Sequence, residues 1–316
     1  MRKKLRLPKI NTRSIASLVV AIAIGGGIGW WFHTPEPVQP PPRYAGVLPP
    51  IPPPAPPPVA EVVTLPPVPT ERPPWQRFAV ASPPIAGRVP IALVIDDVGV
   101  DLVHSKQAID ELPPMVTLSL LPYGKGIDRQ AEAARAKGHE IIVHVSMEAD
   151  TRTVDPGPNA LYINLAPDEI NRRFDWAMSQ FTGYVGFNNH MGSRFTSYEP
   201  GMRLVLEQAK ARGLMFLDSR TAPETIGASL SAEFGVPFAS RQVFLDNDMS
   251  AAAVKVQLTA LETIAKRDNG AIAIGHPHEG TLAALQAWIP TLASRGFVLV
   301  PLTAMIKPPS PRAAKD

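Results

Sequence analysis

The chain alternates short, almost wholly apolar runs with longer stretches in which apolar residues recur every three or four positions. Six of the apolar runs end in residues able to bind a metal or move a proton. They are IALVIDD (91–97), EIIVH (140–144), GYVGFNNH (183–190), LMFLDS (214–219), VFLDND (243–248) and AIAIGHPH (271–278). A seventh run, VTLSLLPYG (116–124), ends in Pro-Tyr-Gly. Near-continuous apolar runs of this kind are expected of parallel strands covered on both faces. The pattern predicts eight strands, at 91–96, 116–121, 140–145, 184–187, 214–217, 242–245, 271–274 and 297–300. Helices are predicted at 101–111, 127–137, 167–181, 199–212, 250–267 and 281–294. Pro113-Pro114 and Gly138 stop the first two.

Strand, helix and strand in alternation define an α/β domain over residues 89–308. Carboxylates, imidazoles and amides at the C-terminal ends of many parallel strands are gathered at one mouth of a (β/α) barrel. A doubly wound open sheet is the alternative, but it collects its site at a single switch point. Here the polar residues recur on strand after strand, so a distorted (β/α) barrel is expected.

Composition separates this domain from what precedes it. Arg2, Lys3, Lys4, Arg6, Lys9 and Arg13 lie in a basic tail (1–14), followed by an uncharged stretch (15–32) that closes with Trp30, Trp31 and Phe32. A cationic flank, an apolar core of about the length that spans a bilayer and an aromatic edge predict a transmembrane signal anchor. No clear small-x-small cleavage site follows it, which favours an uncleaved anchor over a cleaved signal peptide. The expectation is a single-pass inner-membrane protein with its barrel in the periplasm. Residues 33–88 form a Pro-rich linker; 21 of the 37 prolines lie between Pro35 and Pro90. Without N–H groups and with φ fixed, such a segment is extended polyproline II, reaching on the order of 150 Å if fully stretched. A short tail (309–316) ends the chain. The net charge of +3 comes from the anchor: without its six cations the rest holds 25 Lys+Arg against 28 Asp+Glu. The high isoelectric point therefore gives no reason to expect nucleic acid as a partner. No cysteine is present, so thiolate metal sites are excluded.

Within the domain, Asp96-Asp97 follows a buried strand. Adjacent carboxylates in extended chain point in different directions, so one can bind a cation while the other accepts a proton. A solvated turn pair is the alternative. Four of the seven histidines, His144, His190, His276 and His278, also fall at strand ends.

GHEIIVH (138–144) resembles the second motif of the polysaccharide deacetylases, in which Gly-His-Glu-Ile leads into a metal-binding His. From about Val89 to Ile306 the chain resembles the divergent polysaccharide deacetylases. Further matches are LSLLPYG (118–124), PGPNAL (156–161), NNHMGSRFT (188–196), LDSRT (217–221), VFLDN (243–247) and GHPH (275–278). The resemblance implies a distorted barrel of the polysaccharide deacetylase type and hydrolysis of an N-acetyl amide on an envelope polysaccharide, peptidoglycan being one candidate. It implies a divalent metal, usually Zn2+, with Asp97 as the metal Asp, Asp96 as the base and His144 as the first metal His.

The chain departs from the ordinary His-x-x-x-His pattern, because Glu148 replaces the second His. His190 is then expected to complete the set Asp97, His144 and His190, an N/O site with an open position. Glu148 is the alternative ligand, or, like Asn189, Asp218 and Asp246, a partner that orients the ligands. For Asp218, capping of the next segment is an equal reading. His276 and His278, on one side of an extended segment, are candidates to protonate a leaving amine. Arg194 and Arg220 are candidates to hold a substrate carboxylate, with structural salt bridges as the alternative. A non-catalytic scaffold that binds cell-wall glycan or an envelope partner is the rival reading, since fold alone does not fix function.

Overall fold

The computed structural model describes residues 72–151 and 154–306. The chain divides into units 1–66 and 67–316, and everything described belongs to the second. The expected basic tail, membrane anchor, most of the Pro-rich linker and the 309–316 tail lie outside the described residues. Among the described residues no helix is long and apolar enough to cross a membrane.

Among the described residues nine strands form one parallel sheet: β1 (Val89–Val98), β2 (Thr117–Leu120), β3 (Ile141–Met147), β4 (Gly186–Met191), β5 (Met215–Asp218), β6 (Phe238–Ser240), β7 (Val243–Phe244), β8 (Ala271–Gly275) and β9 (Phe297–Leu299). Their order is β6-β5-β4-β3-β2-β1-β8-β7. One edge of β1 carries β8. The other is shared, with β9 against Val89, Pro90 and Ile91 and β2 against Val94, Ile95 and Val98. The monotonic order has no central reversal, which rules out the doubly wound alternative.

The sheet curls as the barrel pattern predicts, but its two ends are not joined by a ladder. The chain itself crosses the seam in two residues. Arg241 N–H donates to the Asp218 carbonyl on one side, and Gln242 N–H donates to the Ile272 carbonyl on the other. The result is an open, curled half-barrel in place of a closed one.

Period-two alternation decides which residues meet inside the curl. Ala92 and Val94 of β1, Ile142 of β3, Met215 and Leu217 of β5 and Ile272 and Ile274 of β8 form an inner apolar cluster. The intervening residues, such as Ile91, Leu93 and Ile95, face outward into a larger core with the helices. Both faces are buried, which is why the strands read as unbroken apolar runs. The outer helices are α1 (Leu102–Glu111), α2 (Ile127–Ala136), α3 (Pro167–Ser179), α4 (Glu199–Arg212), α5 (Gly227–Phe234), α6 (Ala251–Asp268) and α7 (Glu279–Trp288). Asp101 caps α1 by accepting the Val103 and His104 N–H groups, and Ser250 caps α6 through Ala253.

Strand β6 and helix α5 have no counterpart in the pattern read from sequence. A three-residue strand and an eight-residue helix opening on Gly-Ala-Ser are too short to establish a period. Residues 72–88, compositionally part of the Pro-rich stretch, pack onto the domain. Trp75 and Phe78 cover the inner cluster, and the Val80 N–H reaches the buried Glu140 carboxylate at 3.4 Å. Glu140 also accepts from Thr303 N–H at 3.0 Å and from the hydroxyls of Thr303 and Thr117, at 2.5 and 3.4 Å. It ties the start and the end of the domain to β3.

Candidate metal centre

One step beyond the inner apolar cluster, the same alternation turns polar. Val94 is followed on its face by Asp96, Ile142 by His144, Leu217 by Ser219 and Ile274 by His276, while β2 and β4 contribute Ser119 and Asn188. These residues cover an apolar floor, and all but His276 are almost fully buried.

Asn188 is the hub. Its amide nitrogen donates to both Asp96 oxygens, at 2.9 and 3.1 Å, and to the Ser219 hydroxyl. Its oxygen accepts from the Ser119 hydroxyl at 2.6 Å and lies 2.7 Å from His144 Nδ1. A carboxylate can only accept, so Asp96 fixes the amide's direction, and the amide oxygen then requires the proton of His144 on Nδ1. The Nε2 lone pair of His144 is thereby aimed into the mouth.

Asp97 also points there, contrary to the expectation that two adjacent carboxylates diverge. Its backbone has φ +58°, and the β1–β2 register shifts between Ile95 and Val98. This bulge turns both side chains to the same face. Asp97 Oδ1 lies 2.9 Å from His190 Nδ1 and 3.3 Å from His144 Nε2, and the two nitrogens are 3.2 Å apart. Burial alone would raise the Asp97 pKa, but the two imidazoles outweigh it and hold the carboxyl well below its usual range. Although buried, Asp97 Oδ1 has no hydrogen bond of acceptable geometry.

These donors fit a divalent cation. Bonds of about 2.0–2.1 Å in a tetrahedral site place neighbouring ligand atoms about 3.3–3.4 Å apart, close to the spacing here. The orphaned carboxylate oxygen between two imidazole nitrogens is the atom such an ion would satisfy.

Of the two late histidines, His276 faces this centre. Its Nε2 lies 3.8 Å from Asp97 Oδ2, and its Nδ1 meets Asp246 Oδ1 at 3.0 Å. Asp246 is itself fixed by the His276 main-chain N–H and the Thr281 hydroxyl. Burial pushes the His276 imidazole down, but the Asp246 hydrogen bond and the Asp97 and Asp96 charges outweigh it and raise the pKa to about 9. Because this lies above the free imidazole's 6.5, the stabilisation is complete below about pH 6.5 and is lost as pH rises through about 9. In chelator-treated protein, Asp246→Asn is expected to move the His276 NMR titration midpoint downward; an unmoved midpoint would contradict this coupling. His278 occupies the N-cap position of α7 without a side-chain capping bond, and its ring is tilted 31° to that of His276 with centroids 5.7 Å apart. It groups with Asp246 and His276, apart from Asp97.

The remaining candidates lie elsewhere. Glu148 does not enter the centre: its backbone pairs with Leu161, and its carboxylate accepts the Ile163 N–H at 2.7 Å and pairs with Arg194 at 3.1 Å. The chain leaves β3 at Met147, which carries the side chain away into the 148–164 loop. Arg194 is thereby a partner of Glu148, and both line a cleft of about 550 Å³ with Asp155 and Tyr162. Asn189 braces the turn after β4, accepting from Ser219 N–H and donating to the Met191 carbonyl. Asp218 orders the next turn through Arg220 N–H and Thr225, and touches no imidazole. Arg220 lies outside the centre, at the seam.

Sequence reasoning missed Asn188, Ser119 and Ser219. Counting back two from His190 places Asn188 on the inner face, so the signal was available.

A family model for divergent polysaccharide deacetylases matches residues 93–306. The chain belongs to that family. It is 33% identical over 225 residues to Escherichia coli K12 YibQ, covering 71% of this chain and 69% of YibQ. A Haemophilus influenzae Rd protein is 31% identical over 202 residues, covering 64% of this chain and 71% of its own. Among solved structures, ATU2773 from Agrobacterium tumefaciens C58 superposes with a TM-score of 0.71 at 27% identity, covering 73% of this chain and 94% of its own.

Proposed function

We propose that this protein is a metal-dependent deacetylase of an N-acetylated envelope polysaccharide, held at the inner membrane by its N-terminal segment with the domain in the periplasm. The observation that carries the reading is the convergence of Asp97, His144 and His190 beside the buried Asp96 carboxylate. A divalent ion such as Zn2+ on those three side chains would activate water and polarise the acyl oxygen. Asp96 accepts the proton of the attacking water, its carboxylate held in place by the Asn188 amide. His276, on which the Asp246 hydrogen bond and the nearby carboxylates favour a proton, gives that proton to the departing amine. Burial of the polar layer on an apolar floor strengthens each of these electrostatic contacts.

A working site explains two features that a glycan-binding scaffold does not require. One is the Asn188 amide spent on fixing an imidazole tautomer. The other is the left-handed Asp97. The test uses purified full-length protein, loaded with zinc, and N-acetylglucosamine oligomers, with acetate release as the readout. Release should stop on chelation and return with zinc. Protein that binds the metal but releases no acetate from any N-acetylated glycan would leave the scaffold reading. Fractionation should find the intact chain in the inner membrane; a shorter soluble species would overturn the anchor.

A further inference from the structure

At the seam between β6 and β7 lies a second cleft, of about 490 Å³, lined by Arg220, Arg241 and Arg267 among others and by no carboxylate. Arg267 is neutralised by its neighbour Asp268. Among the described residues no acid makes a salt bridge to Arg220 or Arg241, although Asp218 acts on both at longer range and Asp96 on Arg241. Arg241 is held rigidly, donating from Nε to the Ser219 carbonyl at 2.5 Å and from Nη2 to the Arg220 carbonyl at 2.7 Å, with its guanidinium 5.0 Å from the centre of the Phe244 ring. Arg220 has an exposed side chain that makes no hydrogen bond within the described residues, on a backbone held at φ +49° by Asp218. Burial, and then the Arg220 charge, depress the Arg241 pKa, and the Asp96 and Asp218 charges offset only part of that.

We infer that Arg220 and Arg241 form a subsite for an anionic substituent, a carboxylate or a phosphate, carried by the glycan substrate. The inference rests on the deacetylase reading and gives its substrate a charge. Guanidinium groups match the oxygens of both anions bidentately, and Arg241 keeps three N–H donors unused by its two carbonyl contacts. The position suits a unit next to the reacting sugar. Arg241 grips Ser219, Ser219 bonds Asn188, and Asn188 holds Asp96. An anion there neutralises a repulsion that the fold otherwise maintains, and a neutral sugar does not.

The test separates the subsite from the reaction. Inorganic phosphate and acetate are first titrated alone into the full-length protein by calorimetry. Wild type should bind at least one of them saturably, and Arg220→Gln should weaken that binding about tenfold, as expected for loss of a charge-assisted contact. Arg220→Lys should recover part of it. Absence of saturable binding, or an Arg220→Gln variant that binds as wild type does, overturns the subsite. Tetrasaccharides of N-acetylated sugars are then compared: one neutral, one with carboxylates, one with phosphates. Wild type should prefer at least one anionic form by about tenfold, and Arg220→Gln should bring the ratio near one. The preferred form distinguishes carboxylate from phosphate. Equal affinity for all three overturns the subsite. Saturable phosphate or acetate binding without affinity for any glycan sinks the glycan reading and leaves an anion site.

Discussion

Replacing His190 by alanine is expected to lower zinc affinity by about tenfold or more, with the fold retained. Its Nδ1 is one of three donors converging within 3.3 Å of each other, and it lies 13% exposed at the rim, where truncation leaves no large cavity. Glu148→Ala should leave affinity nearly unchanged, because that carboxylate is committed to Ile163 and Arg194. Titration of metal-free protein with zinc reads both variants. A large loss in the Glu148 variant with none in the His190 variant would refute the ligand set. Affinity should also fall as pH drops. Carboxylates that favour a proton on His144 over its burial favour any cation there, so proton and metal compete for Nε2.

The second large effect concerns Asp96. Asp96→Asn should retain zinc yet lower the rate of acetate release by about 10²–10⁴-fold, the usual effect of losing a general base. The asparagine oxygen can still accept from the Asn188 amide, so shape is preserved while the proton acceptor disappears. Asp97→Asn should instead weaken metal binding, since an amide is a poorer ligand for a dication than a carboxylate. Equal metal loss in the two variants would defeat this division of labour.

Most of the architecture was legible because burial on both faces leaves an unbroken apolar signature in each long strand. The short strand β6 and helix α5 escaped because a turn or less of pattern carries no period. At the site, strand tips announced Asp96, Asp97, His144, His190 and His276. Two placements were not legible. Extended geometry predicts that neighbouring carboxylates diverge, and only the bulge at Asp97 makes them converge. Glu148 occupies the sequence position of a ligand, but β3 ends one residue earlier and the chain turns away to Leu161. The sequence reading named Asn189 and not Asn188, although it is Asn188 whose register matches that of His190.

Asp97, Met191 and Arg220 all hold left-handed backbone at the ends of β1, β4 and β5, where glycine is the least strained residue. Each non-glycine there costs roughly 1–2 kcal/mol relative to relaxed chain. The cost persists only while the side chain does something a glycine could not. A descendant released from that demand gains stability by drifting to glycine at these positions. The identity of three residues, read in any relative's sequence, is therefore a record of whether its mouth is still under selection.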